Sequence, residues 1–385
     1  LPEQRPLVGV GIVEGVLDLS NRGAIQLGNT GSANAFENEL KGMSSEGSNS
    51  RAAGRTAFFV KGTIKGEYLL TAAFDSDKTT SDRLFRDIRP EEYYPVYGDD
   101  SVRGFDAQST QRFYVRIDKN RSYLLYGDFT TASSAEVRKL SQYSRSLTGA
   151  KHQYDDGNVR VTSFVSRTRS TQVVEELRAL GISGPYYLTK ISASDLLANS
   201  EKVEILVRDK NQPNIILSIT AATRYTDYSI EALTGRIMFV SPVSSYDENL
   251  NPRSIRVTYE ADQSGPEYTV LGTDAQFKVT NNLQVGVVAV KDDNPTNPLK
   301  IGAVTALGRI GATTMSAEAV ATNSLDQGDG KGARFELKHE TTNLRAIVQA
   351  FKTSATFDNP SGGVTAGRTE INARADYKIA DDLRV

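Results

Sequence analysis

The last nineteen residues of the chain, Gly367 to Val385, alternate so regularly that they constrain the fold more than any other stretch. Because successive side chains of an extended chain point to opposite faces, the pattern predicts a strand with one apolar and one charged face. It continues for about ten residues, roughly what a tilted strand needs to cross a bilayer. The apolar set is Thr369, Ile371, Ala373, Ala375, Tyr377 and Ile379, and the polar set is Arg368, Glu370, Asn372, Arg374, Asp376 and Lys378.

Connections of two kinds alternate along residues 266–385. Short turns are predicted at 280–282, 308–311, 341–343 and 380–382, and longer segments rich in Gly, Asn, Asp and Pro at 292–299, 323–331 and 357–366. Barrels of the bacterial outer membrane have short periplasmic turns and longer external loops. The alternation therefore favours an antiparallel transmembrane barrel, with 76–106 and 170–265 among its external connections.

The first half of the chain contains further hairpins. Residues 56–64 and 67–75 predict two paired strands, on which Phe58, Val60, Leu70, Ala72 and Phe74 share a face. Extended runs are also expected at 7–28, 109–117, 122–130, 137–147 and 158–167, with a long surface loop over 28–54. These segments supply the first group of barrel strands.

Residues 170–265 interrupt the hairpin rhythm. Thr171 to Leu180 has apolar residues on one side of a helix and a glycine just after it, which predicts a short helix. Short extended runs with frequent turns follow, as in a small sandwich. We therefore divide the chain into an N-terminal strand and loop (1–54), a first barrel segment (55–169), an inserted immunoglobulin-like β domain, extracellular in this scheme (170–265), and a second barrel segment (266–385). Because a barrel leaves no open edge, we expect that more chain follows Val385 or that the N-terminal strand closes against the last one.

Composition excludes several classes of function. The chain has 45 Lys and Arg against 47 Asp and Glu, a net charge of -2, which argues against a simple basic nucleic-acid binder. Cysteine is absent, so disulfides, thiolate metal sites and cysteine nucleophiles are excluded. Tryptophan is absent too, and aromatic girdles would have to come from the 17 Tyr and 14 Phe. No leader is visible at Leu1, so a secreted protein would be in a mature or trimmed form.

No motif for catalysis or for a metal or cofactor is recognisable. His152 and His339 are the only histidines, and neither lies in a zinc-like spacing. The acidic runs at 154–157 and 326–332 lack the oxygen spacing of a calcium loop, so ordinary turn chemistry is favoured. We expect no metal, no cofactor and no enzymatic activity.

The alternation separates candidate lumen-lining residues from candidate lipid-facing ones. Charged ladders facing the lumen could line an aqueous channel or neutralise one another across a filled interior. The lumen-lining set is Arg112, Arg116, Arg160, Arg334, Glu336, Lys338, Glu340, Arg368, Glu370, Arg374, Asp376 and Lys378. The lipid-facing set is Phe113, Val115, Phe335, Leu337, Ile371, Ala373 and Tyr377.

Several segments carry a family resemblance. FFVKGTIKGEYLLTAAFDSDK, YYPVYGDDSVRGFDAQSTQRFYVRIDKNRSYLLYGDF, GISGPYYL and DYSIEALTGRIMF lie between Phe58 and Phe239, about half of the chain. This part resembles large, mostly uncharacterised outer-membrane proteins of Gram-negative bacteria, in which barrel strands alternate with immunoglobulin-like β modules. The resemblance implies an outer-membrane location and assigns no catalytic or ligand motif.

The sequence thus predicts an all-β chain: an antiparallel transmembrane β-barrel of about 16 or more strands with an inserted small β-sandwich domain. The expected role is that of a non-enzymatic channel, export conduit or surface scaffold in the outer membrane. Its partners would be outer-membrane lipid and envelope or surface proteins that contact 170–265, and no nucleic acid. A soluble or surface-displayed adhesin built of β-sandwich modules is the alternative, because half-buried sandwich strands alternate in the same way. A surface hydrolase would need convergent acid and base groups, which the sequence does not offer.

Overall fold

The computed structural model describes most of the chain. The described residues are 7–17, 52–65, 67–76, 92–93, 104–105, 113–131, 133, 135, 137–190, 196–197, 200–211, 216–231, 234–262, 265–362, 364, 366–380 and 383–384. They contain strands and irregular segments only, and no helix able to span a membrane occurs among them. Residues 28–51 of the predicted loop, most of the 76–106 connection and Arg112 lie outside the described residues, while residues 52–54 of that loop belong to a strand.

The chain divides into two compact units, Leu1–Asp128 and Phe129–Val385. In the first unit, β1, β2, β3, β6 and β7 pair in that order, each antiparallel to the next, while β4 pairs with β5. The strands are β1 Val8–Leu17, β2 Ala52–Ile64, β3 Tyr68–Asp75, β4 Glu92–Tyr93, β5 Gly104–Phe105, β6 Phe113–Lys119 and β7 Ser122–Thr130, which ends just past the boundary.

The predicted hairpin of the first unit is present. Phe58 pairs with Phe74 and Val60 with Ala72 across β2 and β3, and the two phenylalanine rings stack with centroids 5.6 Å apart. Their shared face is the one that the period-two pattern of the sequence predicted.

The second unit contains a long antiparallel meander and an insertion. Its elements are β8 Ser146–Asp155, β9 Val159–Thr168, β10 Ser170–Arg178, β11 Tyr186–Tyr187, β12 Lys202–Arg208, β13 Ile216–Ala222, β14 Tyr228–Glu231, β15 Arg236–Phe239, β16 Arg253–Asp262, β17 Tyr268–Thr280, β18 Leu283–Asp292, β19 Leu299–Ile310, β20 Thr313–Ser324, β21 Gly328–Glu340, β22 Leu344–Thr353, β23 Thr369–Ala380 and β24 Leu383–Arg384. The meander runs β8, β9, β17 and then in sequence to β24. It does not close on itself, because β24 pairs with β23 alone. An all-β antiparallel fold is therefore confirmed, while closure into a barrel is not observed among the described residues.

The insertion, residues 170–265, joins two strands that are direct neighbours in the meander, since β9 pairs with β17. It holds a four-stranded sheet, β10-β16-β12-β13, and a three-stranded sheet, β11-β15-β14. Both sheets contribute to one buried cluster, in which Tyr186 meets Phe239 edge to face at 5.8 Å and Val203, Ile237 and Ile255 are fully buried. The insertion thus has its own hydrophobic core.

The helix predicted over 171–180 is wrong, because most of that stretch is strand β10. Its residues pair with β16 from Ser170 opposite Asp262 to Arg178 opposite Ser254. Glu175 is buried on the core side of β10, where its carboxylate accepts hydrogen bonds from Thr189 and the Tyr259 hydroxyl. The helical preference of a Glu-Glu-Leu-Arg run is overridden by this cross-strand pairing.

Two predicted connections also differ. The segment 323–331 is no long loop, because β20 continues to Ser324 and β21 starts at Gly328 in a left-handed conformation, with φ of 73°. The predicted strand over 137–147 begins only at Ser146. The described residues of 131–145, which precede it, are irregular. We call this segment the strap.

Candidate functional site

The strand register separates the two faces of the second-unit meander. We call the face that carries the strap the strap face, and the opposite one the open face. One row of neighbours crosses the strap face and is identified by successive pairings: Arg160, Gln276, Gly286, Thr305, Glu318, Arg334, Phe351 and Glu370. Three residues of the predicted lumen-lining set, Arg160, Arg334 and Glu370, therefore lie in one row.

The remaining predicted residues follow the same separation. Arg334, Glu336, Lys338, Glu340, Glu370, Arg374, Asp376 and Lys378 lie on the strap face, and Arg368 directly precedes β23. Phe335, Leu337, Ile371, Ala373 and Tyr377 lie on the open face. In the first unit, Arg116 on β6 lies on the face opposite Phe113 and Val115. That the strap face borders a lumen and the open face lipid stays a prediction.

The predicted ladders consist of ion pairs within single strands. Arg334 contacts Glu336 at 2.5 Å, Lys338 contacts Glu340 at 2.8 Å, and Arg374 contacts Asp376 at 3.2 Å. Arg368 pairs with Glu370, and Arg116 in the first unit with Asp118 at 2.7 Å. Each pair joins residues two apart, which point the same way from a strand. The positive and negative charges of each ladder therefore neutralise each other within one strand.

The strap lies across the strap face and is held by buried polar contacts. Arg138, 2% exposed, makes a bidentate ion pair with Asp274 of β17, with its Nε and Nη2 at 2.9 and 2.5 Å from the carboxylate oxygens. Such fork-shaped pairs fix both distance and orientation. The strap is thereby fixed to the middle of β17.

Glu318 of β20 anchors the centre of the strap. Its carboxylate accepts the backbone N–H groups of Lys139, Leu140 and Ser141 at 2.8–2.9 Å and the Ser141 hydroxyl at 2.5 Å. Glu318 is only 3% exposed. Four hydrogen bonds occupy the acceptor sites of a carboxylate, which is how this group can be buried without an ion pair.

Arg145 closes the C-terminal end of the strap. Its Nε and Nη2 contact the two oxygens of Glu260 at 3.0 and 2.6 Å, and Nη1 contacts Asp292 at 2.8 Å and the Tyr268 hydroxyl at 3.1 Å. Nη2 also donates to the Ser170 carbonyl at 2.8 Å. All five guanidinium N–H groups are thus engaged. Arg145 links the strap to β16 of the insertion and to β18 of the meander.

Two strap residues at this end, Arg145 and Tyr143, have a raised pKa. Burial opposes the charge of Arg145, but the charge and hydrogen bonds of Glu260 outweigh that effect, so the pKa of Arg145 lies well above its usual value. Burial likewise raises the pKa of Tyr143, whose hydroxyl donates to Asp292 at 2.7 Å. The network is therefore a fixed cation and a neutral phenol beside two carboxylates.

Described residues of a second segment, 354–368, contact the strap. The side-chain amide of Asn359 donates to the carbonyls of Leu140 and Gln142 at 2.6 and 3.0 Å, and Ser361 accepts the Ser144 N–H at 3.2 Å. Contact with this segment also explains why β21 contains glycine in the stretch that was predicted as a loop. A Cβ on Gly330 would lie 2.6 Å from the Cα of Phe357.

Gly330→Ala should lower the free energy of unfolding by about 1–3 kcal/mol, because the added methyl group overlaps backbone atoms that cannot turn away. Gly302→Ala is the matched control, since a Cβ there meets nothing within 4 Å. Urea unfolding of both variants in detergent measures the difference. Equal midpoints would show that the 354–368 segment does not press on β21.

Sequence reasoning missed the residues that hold the strap. Asp274 and Glu318 lie on faces of their strands that also carry polar residues, so the alternation marks them as polar-face residues. Asp292 shares its face of β18 with Val288 and Val290, and no polar pattern marks it. The partners of the two aspartates, Arg138 and Arg145, lie in a segment that was predicted as a strand and is irregular in the structure. Among the described residues, no group of three or more His, Asp or Glu side chains is placed to hold a metal ion.

Comparison with known proteins adds structural likeness only. No protein-family model and no curated protein sequence matches the chain. Among solved structures, it is similar to OpdQ of Pseudomonas aeruginosa, with 10% identity over 87% of this chain and 72% of that one and a TM-score of 0.36. It is also similar to the outer membrane protein OpdK of Pseudomonas aeruginosa, with 10% identity over 84% and 70% and a TM-score of 0.34. OmpT, an outer membrane protein of Vibrio cholerae, matches at 8% identity over 96% and 93% with a TM-score of 0.26.

Proposed function

We propose that the chain is a non-enzymatic β-barrel channel of the Gram-negative outer membrane. The observation that supports this most is the second-unit meander, whose strands β17 to β23 are 10 to 13 residues long. On β23, charged and amide side chains occupy the strap face, and Ile371, Ala373 and Tyr377 lie on the open face. Strands of this length can cross a bilayer. In the proposal, the open face contacts lipid and the strap face borders the aqueous interior.

The strap supports a channel that is narrowed on one side. Its contacts reach from Asp292, where β18 ends, to Asp274 and Glu318 near the middle of their strands. A segment with this many buried charged contacts holds a fixed position, since each unpaired group would carry a desolvation cost. A permanently placed strap would restrict passage to small solutes, which favours a channel over an export conduit.

We further propose that the insertion, 170–265, is a small β-sandwich module outside the membrane. Two sheets share its buried cluster, and both of its ends lead directly into neighbouring strands β9 and β17. The connection lies on the same side as the 293–298 and 354–368 segments, opposite the short turns at 281–282, 311–312 and 341–343. Its exposed surface would be available to envelope or surface proteins.

Conductance tests the channel function. The purified chain, folded into planar lipid bilayers, should produce discrete ion-conducting steps. The same preparation denatured before addition should produce none. Absence of steps from protein whose membrane insertion is confirmed by protease protection would reject the channel.

Ala373→Arg should block membrane assembly, because a charged side chain on a lipid-facing strand position costs about 2–4 kcal/mol at the bilayer midplane. Asn372→Arg is the matched control, since the adjacent residue of β23 lies on the strap face and receives the same new side chain. Folding into lipid vesicles, followed by the mobility shift of folded against heated protein in gels, measures assembly. Equal assembly of the two variants would contradict the assignment of the faces.

A further inference from the structure

A cavity of about 300 Å³ opens on the strap face at the end nearest the short turns. The strap residues Ala135 and Val137 form one side, and the turn between β8 and β9 forms another. This volume is at the lower end of the range for small-molecule sites. The strap and the short turns thus enclose a space of the size of a small solute.

The charged side chains of this cavity are mostly cationic. Arg160, Lys278 and Arg309 line it, and Asp155 is the one acidic lining residue. Asp155 is buried and already engaged, since it accepts Arg160 Nε at 2.8 Å and the Gly157 N–H at 2.9 Å. Among the described residues, no carboxylate lies within ion-pair distance of Lys278 or Arg309, and both side chains are exposed. The cavity therefore has an excess of positive charge.

This excess contrasts with the rest of the strap face. The ladders of β21 and β23 are neutralised by their own neighbours, as in Arg334 with Glu336 and Arg374 with Asp376. Uncompensated cations grouped in a concave, partly enclosed space raise the local potential more than scattered ones do. Selectivity for a charged solute would therefore arise at β17 and β19 and less at the ladders.

Hydrogen-bond donors accompany the cations. Gln284 Nε2 donates to the side-chain oxygen Oε1 of Gln276 at 2.8 Å, which leaves the side-chain N–H₂ of Gln276 as a donor at the cavity wall. Arg138 adds an independent observation: its Nη2 lies beside Gly286, a lining residue, and its buried Nη1 has no hydrogen-bond partner among the described residues. An unsatisfied buried donor is costly unless a ligand or solvent reaches it. Donors and cations together match a group that is anionic and accepts several hydrogen bonds.

We propose that this cavity is a binding site for small oxyanionic solutes, in which Lys278 and Arg309 supply the charge and Arg160 and Gln276 orient the carboxylate or phosphate group. The site deepens the channel function proposed above and rests on it only for its role in transport. Binding of the anion requires only the folded chain and does not depend on whether the protein conducts ions.

The test compares Lys278→Glu/Arg309→Glu with Lys210→Glu/Arg236→Glu, a control that makes the same change in net charge at exposed positions of the insertion. Calorimetric titration of the folded, detergent-solubilised full chain with inorganic phosphate, and separately with acetate, is made at constant ionic strength. We expect the lining variant to bind at least about tenfold more weakly than wild type and the control to bind like wild type. Equal binding by both variants, or no binding by wild type, would overturn the site.

Reversal potentials in a potassium chloride gradient then separate the site from the channel. The wild type and the control should favour anions, and the lining variant should favour cations. If the lining variant conducts with unchanged selectivity and binds phosphate as wild type does, the anion site is rejected and the channel function stands. If the lining variant loses phosphate binding and neither it nor the wild type conducts ions, the channel function is rejected and the anion site stands.

Discussion

Arg145→Met should lower the free energy of unfolding by about 3–5 kcal/mol, the cost of removing one partner from a buried ion pair. Methionine fills a similar volume but leaves Glu260 and Asp292 buried, with side chains 1% and 8% exposed, and without their cation. Urea unfolding in detergent measures the loss.

Arg374→Met is the control for this prediction. Arg374 also pairs with a carboxylate, Asp376 at 3.2 Å, but 79% of its side chain is exposed. Exposed pairs contribute about 0–1 kcal/mol, so this variant should unfold close to wild type. If both variants lost the same amount, burial of the Arg145 network would not be what stabilises the junction of strap, insertion and meander.

The strands of the meander could be predicted from the sequence because their information is local. On β23, a residue's neighbours two positions away decide its face, and the register with β22 places Ile371 and Arg374 as the alternation predicts. The same holds for Phe58 and Phe74 in the first unit. Where a strand has one apolar and one polar face, a period of two is enough.

The strap could not be predicted because its contacts join residues far apart in the chain. Leu140 lies about 180 residues before its acceptor Glu318, and Arg145 lies 115 residues before Glu260. The sequence predicted an extended run over 137–147, whereas the strand begins only at Ser146. Alternation marks Glu318 as a polar-face residue but cannot tell a pore-lining carboxylate from one that binds backbone N–H groups.

The glycines of β21 led to the wrong prediction of a long loop for a related reason. Gly328, Gly330 and Gly332 look like loop chemistry, yet only Gly328 has a left-handed backbone. Gly330 and Gly332 lie inside β21, where a side chain would meet Phe357 and, at Gly332, also Leu140 of the strap. A glycine that admits a neighbouring segment and one that forms a turn are identical in sequence, and only the tertiary contact separates them.

Glu318→Ala should release the strap while leaving the strands of the meander paired. The substitution removes the acceptor of three backbone N–H groups and of the Ser141 hydroxyl, and each buried donor left unsatisfied costs about 1–3 kcal/mol. Hydrogen–deuterium exchange of peptides covering 131–145 should be at least about tenfold faster than in wild type, since local opening becomes cheaper. Peptides from β22 and β23 should be unchanged.

Glu336→Ala provides the comparison, because Glu336 lies on the same face and the substitution removes the same charge. Its partners are the side chains of Arg334 and Gln349, and none of its hydrogen bonds reaches the strap. Exchange of 131–145 should therefore remain at the wild-type rate in this variant. In bilayers, release of the strap by Glu318→Ala should also raise the single-channel conductance, whereas Glu336→Ala should not. Faster exchange without higher conductance would mean that the strap is anchored as described but does not narrow the conducting path.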